Sequence, residues 1–265
     1  MTGYPTSIGS SDETSIQLLG RDLAADLMGQ VGFGELSFWL VAMRRPTPGE
    51  LRVFESVLVA LADHGLTPTV VAARLTLTGA PESVQGALAA GLLGGGSRFL
   101  GVTEDSGRFL AAALADHMAA GKDVPTTDEG WDDLARGAVR AQQAAGQRVP
   151  GLGHPVHKLG DPRTPALLRI AEEEGLRGPH LRLFEAVGRV HPELLGRTLP
   201  LNGAGVCGAA LCDLGFDADI LRGFALLARA AGLVGHIAEE MRRPIGMAVN
   251  DQVHQATEYE PPSLP

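Results

Sequence analysis

The chain has 265 residues and a formal net charge of −9, with no run of lysines or arginines, which excludes nucleic acid as its main partner. Hydrophobic residues make up 45% and aromatics only 5%, so the core has to be built from Ala, Leu and Val, and Ala and Leu favour helix. With 35 glycines and 17 prolines as frequent stops, the expectation is many short helices, no internal repeat and no β-strand.

Residues 1–15 are polar and irregular, without the apolar core of a secretion signal. Residues 18–28 alternate apolar and charged positions with helical period, and 36–43 form a short apolar helix stopped by Arg44-Arg45-Pro46. Thr47-Pro48-Gly49-Glu50 is a helix start, with a threonine cap, a first-turn proline and a glutamate three residues after the cap. That helix runs to Ala62 and ends at Asp63-His64-Gly65. Further helices are expected over 70–77, 81–93 (broken by Gly94-Gly95-Gly96), 105–120, 129–147, 164–174 and 178–190. Asn202-Gly203-Ala204-Gly205 precedes a helix over 206–214, and the last strong helix covers 219–241, closed by Arg242-Arg243-Pro244. The tail 260–265 is expected to fray. No apolar run reads as long enough to span a bilayer. Cys207 and Cys212 lie in an apolar helical stretch without metal-ligand spacing, and read as buried thiols rather than a disulfide.

Residues 151–163 read Gly-Leu-Gly-His-Pro-Val-His-Lys-Leu-Gly-Asp-Pro-Arg. Glycine lets backbone approach a ligand closely and proline fixes φ, so this loop can hold His154 and Arg163 on the rim of a cleft. An imidazole donor and a guanidinium are the pieces that bind a keto acid. The other reading is a surface turn with incidental basic residues. His154, His157 and Asp161 also have the chemistry of metal ligands, but no second ligand pair accompanies them. Polar clusters recur at other helix ends: His64 in Asp63-His64-Gly65, Arg229 with His236, and Arg242-Arg243-Pro244. His64 alone reads as a capping or core histidine. Arg229 lies in a segment apolar nearly all round, and a buried arginine without an anion is costly. Its partner is either a protein acid, such as Glu239 or Glu240, or a ligand.

In order along the chain these segments resemble the citrate synthase superfamily, and most of all its short branch, the citryl-CoA lyases and the C-terminal module of ATP-citrate lyase. The matching pieces are Ala62-Asp-His-Gly65, Gly91-Leu-Leu-Gly-Gly-Gly-Ser-Arg-Phe99, the loop 151–163, Leu227-Ala-Arg-Ala-Ala-Gly-Leu-Val-Gly-His236 and Arg243-Pro244, over about residues 20–256. The resemblance implies an all-α, citrate synthase-like fold, with a large domain of 1–103 plus 201–265 and a small domain of 104–200 closing over a cleft. It implies a homodimer in which Arg243 reaches into the neighbouring subunit's site, while the two buried thiols point to the cytoplasm. His64 and His154 would contact a keto acid such as oxaloacetate, with His154 polarising its carbonyl or, in cleavage, taking the hydroxyl proton. Arg163, Arg229 and Arg243 would hold the carboxylates. Arg98 and Lys158 would meet coenzyme A phosphates. Coenzyme A would be substrate, and no metal or resident cofactor is implied.

Two positions depart from the family pattern. Phe99 stands where citrate synthases carry a histidine, as in the lyase branch. Ala204 occupies the place of the catalytic aspartate in Asn-Val-Asp-Gly, and a methyl group neither gives nor takes a proton. Glu104, Asp105 and Asp213 are the available substitutes. The expected function is a CoA-dependent carbon–carbon lyase or synthase that interconverts citryl-CoA, or a related 3-hydroxy-3-carboxyacyl-CoA, with an acyl-CoA and a keto acid. The alternative is a non-catalytic dicarboxylate- or CoA-binding subunit working with an acyl-CoA ligase.

Overall fold

The computed structural model describes residues 3–263, so the last two residues of the expected frayed tail lie outside it. Among the described residues are eleven α-helices: α1 Phe33–Ala42, α2 Pro48–Ala62, α3 Pro68–Gly79, α4 Val84–Leu93, α5 Val102–Ala119, α6 Asp128–Ala144, α7 Arg163–Glu173, α8 Pro179–Leu195, α9 Gly203–Asp213, α10 Leu221–Arg242 and α11 Gly246–Ala256. The fold is all-α, as expected. Several starts follow from local chemistry. Glu50 N–H donates to Thr47 Oγ1 (3.2 Å) while Thr47 N–H donates to Glu50 Oε2 (2.8 Å), which closes the capping box written in the sequence. Arg44 grips the same carboxylate, and this pairing above all holds the Glu50 carboxyl down to about 2. Side chains of Ser83, Thr127 and Asn202 accept the amides three residues on and cap α4, α6 and α9.

Three features correct the sequence reading. The expected helix over 18–28 is a small antiparallel sheet, β1 Gly9–Ser11, β2 Ile16–Leu18 and β3 Arg21–Asp22, followed by one π-helical turn over Leu23–Leu27. Two tight turns build it. Asp12 Oδ1 accepts the amides of Thr14 and Ser15 at 2.8 Å each, and Leu19 (φ 51°) with Gly20 (φ 73°) links Leu18 to Arg21 as a two-residue hairpin turn. Helix α11 lies beyond Pro244, which was expected to close the last strong helix. Glu240 Oε1 accepts the amides of Ile245 and Gly246 (2.9 and 2.7 Å), so the chain restarts a helix immediately after Pro244. Finally, by length and composition alone the helical stretch 218–242 is long and apolar enough to cross a membrane, although Arg229 and other charges interrupt its apolar runs. Its Leu233 and Ile237 are buried in the core of the protein.

The chain divides into two compact units, each with its own core. The first comprises Met1–Ala60 and Val102–Leu221, and the expected segment 104–200 lies wholly within it. There α9 meets α5 so closely that a β-carbon at Gly208 would collide with the Thr103 carbonyl. Helix α8 packs on α6 and α9. Phe38 stands edge-on to Phe54 and Phe216, with centroids 5.4 and 4.9 Å apart. Cys207 and Cys212 are buried free thiols in this unit, and burial pushes each up to about 12, as expected for inert sulfur.

The second unit comprises Leu61–Gly101 and Arg222–Pro265. Val70, Ala73, Leu77, Ala87, Leu233 and Ile237 form its core. Arg74, only 4% exposed, lies against Glu240 (2.6 Å) and Glu239 (3.0 Å) and donates to the Arg243 carbonyl (3.1 Å). A buried arginine paired on both sides in this way holds the end of α10 to α3.

Candidate functional site

In the first unit, the loop 151–162 is a shaped element. Gly151 (φ 82°) and Gly153 (φ 83°) adopt left-handed backbone, and a β-carbon at Gly151 would lie 2.6 Å from the Phe184 ring. The stretch 200–202 pins them. Gly153 N–H donates to Pro200 (2.7 Å), Asn202 N–H to Gly151 (2.9 Å), and Asn202 Nδ2 to the Gly153 carbonyl (2.8 Å). His154 follows directly. Its Nδ1 accepts the amides of Val156 (3.1 Å) and His157 (2.9 Å). A nitrogen that accepts carries no proton, so the neutral ring holds its hydrogen on Nε2 and presents a donor. The polarising role expected of His154 would act through this Nε2–H, and taking the hydroxyl proton would need Nδ1 released from the loop. Lys158 Nζ donates to the His154 carbonyl (3.0 Å), a loop-bracing contact.

Arg163 opens α7 and is held from below by Asp161. Nε donates to Oδ1 (3.0 Å), Nη2 to Oδ2 (2.7 Å), and Nη1 to the Ala60 carbonyl (3.1 Å). Two of its five N–H groups are left for a substrate. Asp161 Oδ2 also accepts the Gly203 amide at 2.7 Å. Burial alone would raise the Asp161 carboxyl; the Arg163 guanidinium and the amides of Gly203 and Arg163 outweigh it and hold it well below the usual carboxylate range. Asp161 is therefore committed to Arg163 and is not a third ligand beside His154 and His157. The unusual Gly203 has the same cause, since a β-carbon there would collide with the Arg163 guanidinium. Arg163 also lines one end of a largely apolar groove of about 620 Å³ between α2 and α7.

Ala204 sits half-buried in the first turn of α9, between buried Gly203 and Gly205. Of the acids expected to stand in for an aspartate at 204, Asp213 is occupied elsewhere. Its carboxylate accepts the amides of His180 and Leu181 (2.9 Å each) and faces His180 Nδ1 (2.8 Å), and so caps α8. Glu104, 6% exposed, pairs with Arg108 at 2.8 Å. Asp105 is half-buried on the same helix.

In the second unit, α10 presents Arg229, Gly232 and His236 to the turn 61–67. Arg229 is 5% exposed and donates to the Leu61 carbonyl and Thr67 Oγ1, both at 3.4 Å. A β-carbon at Gly232 would collide with the Ala62 carbonyl, and His236 Nε2 lies 2.9 Å from Asp63 Oδ1. Glu239 and Glu240, the acids weighed as partners of Arg229, serve Arg74 instead. His64 is half-buried in this turn. Arg243 and Arg98 are exposed, and Phe99 is half-buried. The sequence reading named His236 beside Arg229 as a polar cluster but gave it no role of its own. Its seven-residue spacing from Arg229, two helical turns on one face, was the available signal.

Comparison with known proteins places this geometry in context. The model for the citrate synthase C-terminal domain matches residues 25–246. The structure of citryl-CoA lyase from Hydrogenobacter thermophilus superposes with a TM-score of 0.82 at 28% identity, over 99% of this chain and 97% of that one. A probable ATP-citrate synthase from Dictyostelium discoideum is 26% identical over 95% of this chain, and a citrate synthase from Deinococcus radiodurans is 25% identical over 83%. The chain spans only 42% and 55% of the lengths of these two relatives. With its match running through the loop 151–163, the turn at His64 and the helix of Arg229, the chain belongs to the citrate synthase family.

Proposed function

We propose that this protein is a CoA-dependent carbon–carbon lyase or synthase that interconverts citryl-CoA, or a related 3-hydroxy-3-carboxyacyl-CoA, with an acyl-CoA and a keto acid such as oxaloacetate. The observation that carries the reading is the end-to-end likeness, at both sequence and fold level, to a citryl-CoA lyase of nearly the same length. In cleavage, the bond between the hydroxyl-bearing carbon and the thioester α-carbon breaks. The hydroxyl carbon becomes the ketone, and the α-carbon gains the proton that the hydroxyl loses. His154 Nε2–H donates to the oxygen of the nascent carbonyl, where charge changes most. His64, Arg163 and Arg229 hold the keto acid and its carboxylates, and Arg243 does so from a neighbouring copy in a homodimer. Coenzyme A enters as part of the substrate, its phosphates met by Arg98 and Lys158, with no resident cofactor. Segment 104–200 acts as the small domain. The cytoplasm suits two buried thiols.

Purified protein incubated with citryl-CoA is expected to release oxaloacetate, and His154→Ala is expected to lower kcat by at least about 100-fold. The methyl group of Ala204 supports a second reading, a dicarboxylate- or CoA-binding subunit that serves an acyl-CoA ligase. Oxaloacetate binding by calorimetry without turnover would select it, and absence of any dicarboxylate binding would overturn both.

A further inference from the structure

We propose that His236 is a positioning residue for His64, acting through Asp63. The proposal rests on the reading that His64 contacts the keto acid. His64 is one residue of the five-residue link between α2 and α3, and its place is set by what holds that link. Asp63 is the node. Its Oδ2 accepts the Gly65 amide at 2.8 Å, the His64 amide also donates to its carboxylate, and its Oδ1 faces His236 Nε2 at 2.9 Å. Gly65, at φ 71°, completes the reversal. From the helix side, Gly232 lets α10 approach the Ala62 carbonyl more closely than any side chain would permit, and His236 follows one turn later on the same face.

The imidazole is committed to this task. Among the described residues, the buried Nδ1 of His236 meets no hydrogen-bond partner and Nε2 makes the ring's hydrogen bond, to Asp63. The other charged groups facing the ring are Glu239, 3.9 Å from Nδ1 on the same helix, and Arg74 of α3, which holds Glu239 at 3.0 Å. A bare helix–turn staple would affect stability alone. Setting the backbone that carries His64 also sets the angle at which its imidazole meets a substrate oxygen, and small displacements there cost binding and rate.

The test compares wild type, His236→Ala and His236→Gln, whose side-chain amide keeps an N–H donor toward Asp63. Three readouts are taken: the oxaloacetate Kd by calorimetry, kcat and KM for citryl-CoA, and the imidazole NMR signals of His64, assigned with His64→Gln. His236→Ala is expected to raise Kd and KM on the order of tenfold and to shift the His64 signals, while His236→Gln restores most of the loss. Equal Kd, KM and His64 signals in folded His236→Ala and wild type would overturn the proposal, as would equal loss in the Ala and Gln variants. If His236→Ala does not fold, His236→Asn, too short to reach Asp63, replaces it with the same criteria. Should wild type neither bind oxaloacetate nor cleave citryl-CoA, the functional reading falls, and the His64 signals alone decide the positioning claim: no shift in the variant ends it.

Discussion

Asp161 shows how one buried carboxylate can organise several groups at once. It neutralises Arg163, fixes the direction of its fork, and accepts the amide that begins α9. Its charge is part of folding. A carboxyl whose folded pKa lies below its unfolded value of about 3.9 contributes stability that is complete above that value and is lost as pH falls toward the folded one. Asp161→Asn, which leaves Arg163 without its counter-charge, is expected to cost about 2–3 kcal/mol at pH 7. The gap to wild type should begin to close as pH drops below about 4. Denaturant unfolding between pH 3 and 7 checks both. Gly203 tests the same geometry from its other side. A valine there would push Arg163 off Asp161, so Gly203→Val is expected to weaken oxaloacetate binding more than it weakens folding, measured by calorimetry and thermal unfolding. Why alanine, rather than serine or another small residue, follows it at 204 has no explanation in the packing.

At the scale of elements, what could be read from the sequence was whatever is local. Thr47 with Glu50 announced its helix because a cap and its amide are three residues apart; Ser83 and Thr127 cap theirs at the same spacing, though the sequence reading named neither. Helix α11 and the N-terminal sheet were not legible. A turn with Leu19 at φ 51° carries no Asn-Gly signal, and the restart after Pro244 depends on Glu240, a residue of the preceding helix. Asp213, weighed as a proton donor, caps α8 across 33 and 32 residues of sequence, a distance no local pattern reports. The same holds at the site. His154 and Arg163 were visible as a glycine-framed motif, but the accepting state of His154 Nδ1 and the pairing of Arg163 with Asp161 needed coordinates. Asn202 does two jobs, capping α9 and holding the Gly153 carbonyl. Asn202→Ala is expected to cost about 1–2 kcal/mol and to expose residues 151–163 to limited proteolysis, which mass spectrometry of the fragments would locate.

Across the whole molecule, the chain has the family scaffold, and the residues proposed to hold the keto acid lie on three of its segments. The loop of His154, the turn of His64 and the helix of Arg229 are each braced by hydrogen bonds within their own unit. Ala204 is the discordant residue, and its place makes the discord testable. It lies half-buried in the first turn of α9, where the helix dipole favours a carboxylate by about 0.5 kcal/mol. Ala204→Asp therefore adds an acid in the first turn of the helix that Asn202 caps. Proton transfer at the thioester α-carbon is the step that the methyl group cannot serve, and a positioned base contributes about 10² to 10⁴ in rate. The variant is expected to speed exchange of the acetyl-CoA methyl hydrogens with D2O in the presence of oxaloacetate by at least about 100-fold over wild type, followed by proton NMR. If wild type already exchanges at the variant's rate, another group on this chain moves the proton. Repeating the measurement in Glu104→Gln and Asp105→Asn would then identify it.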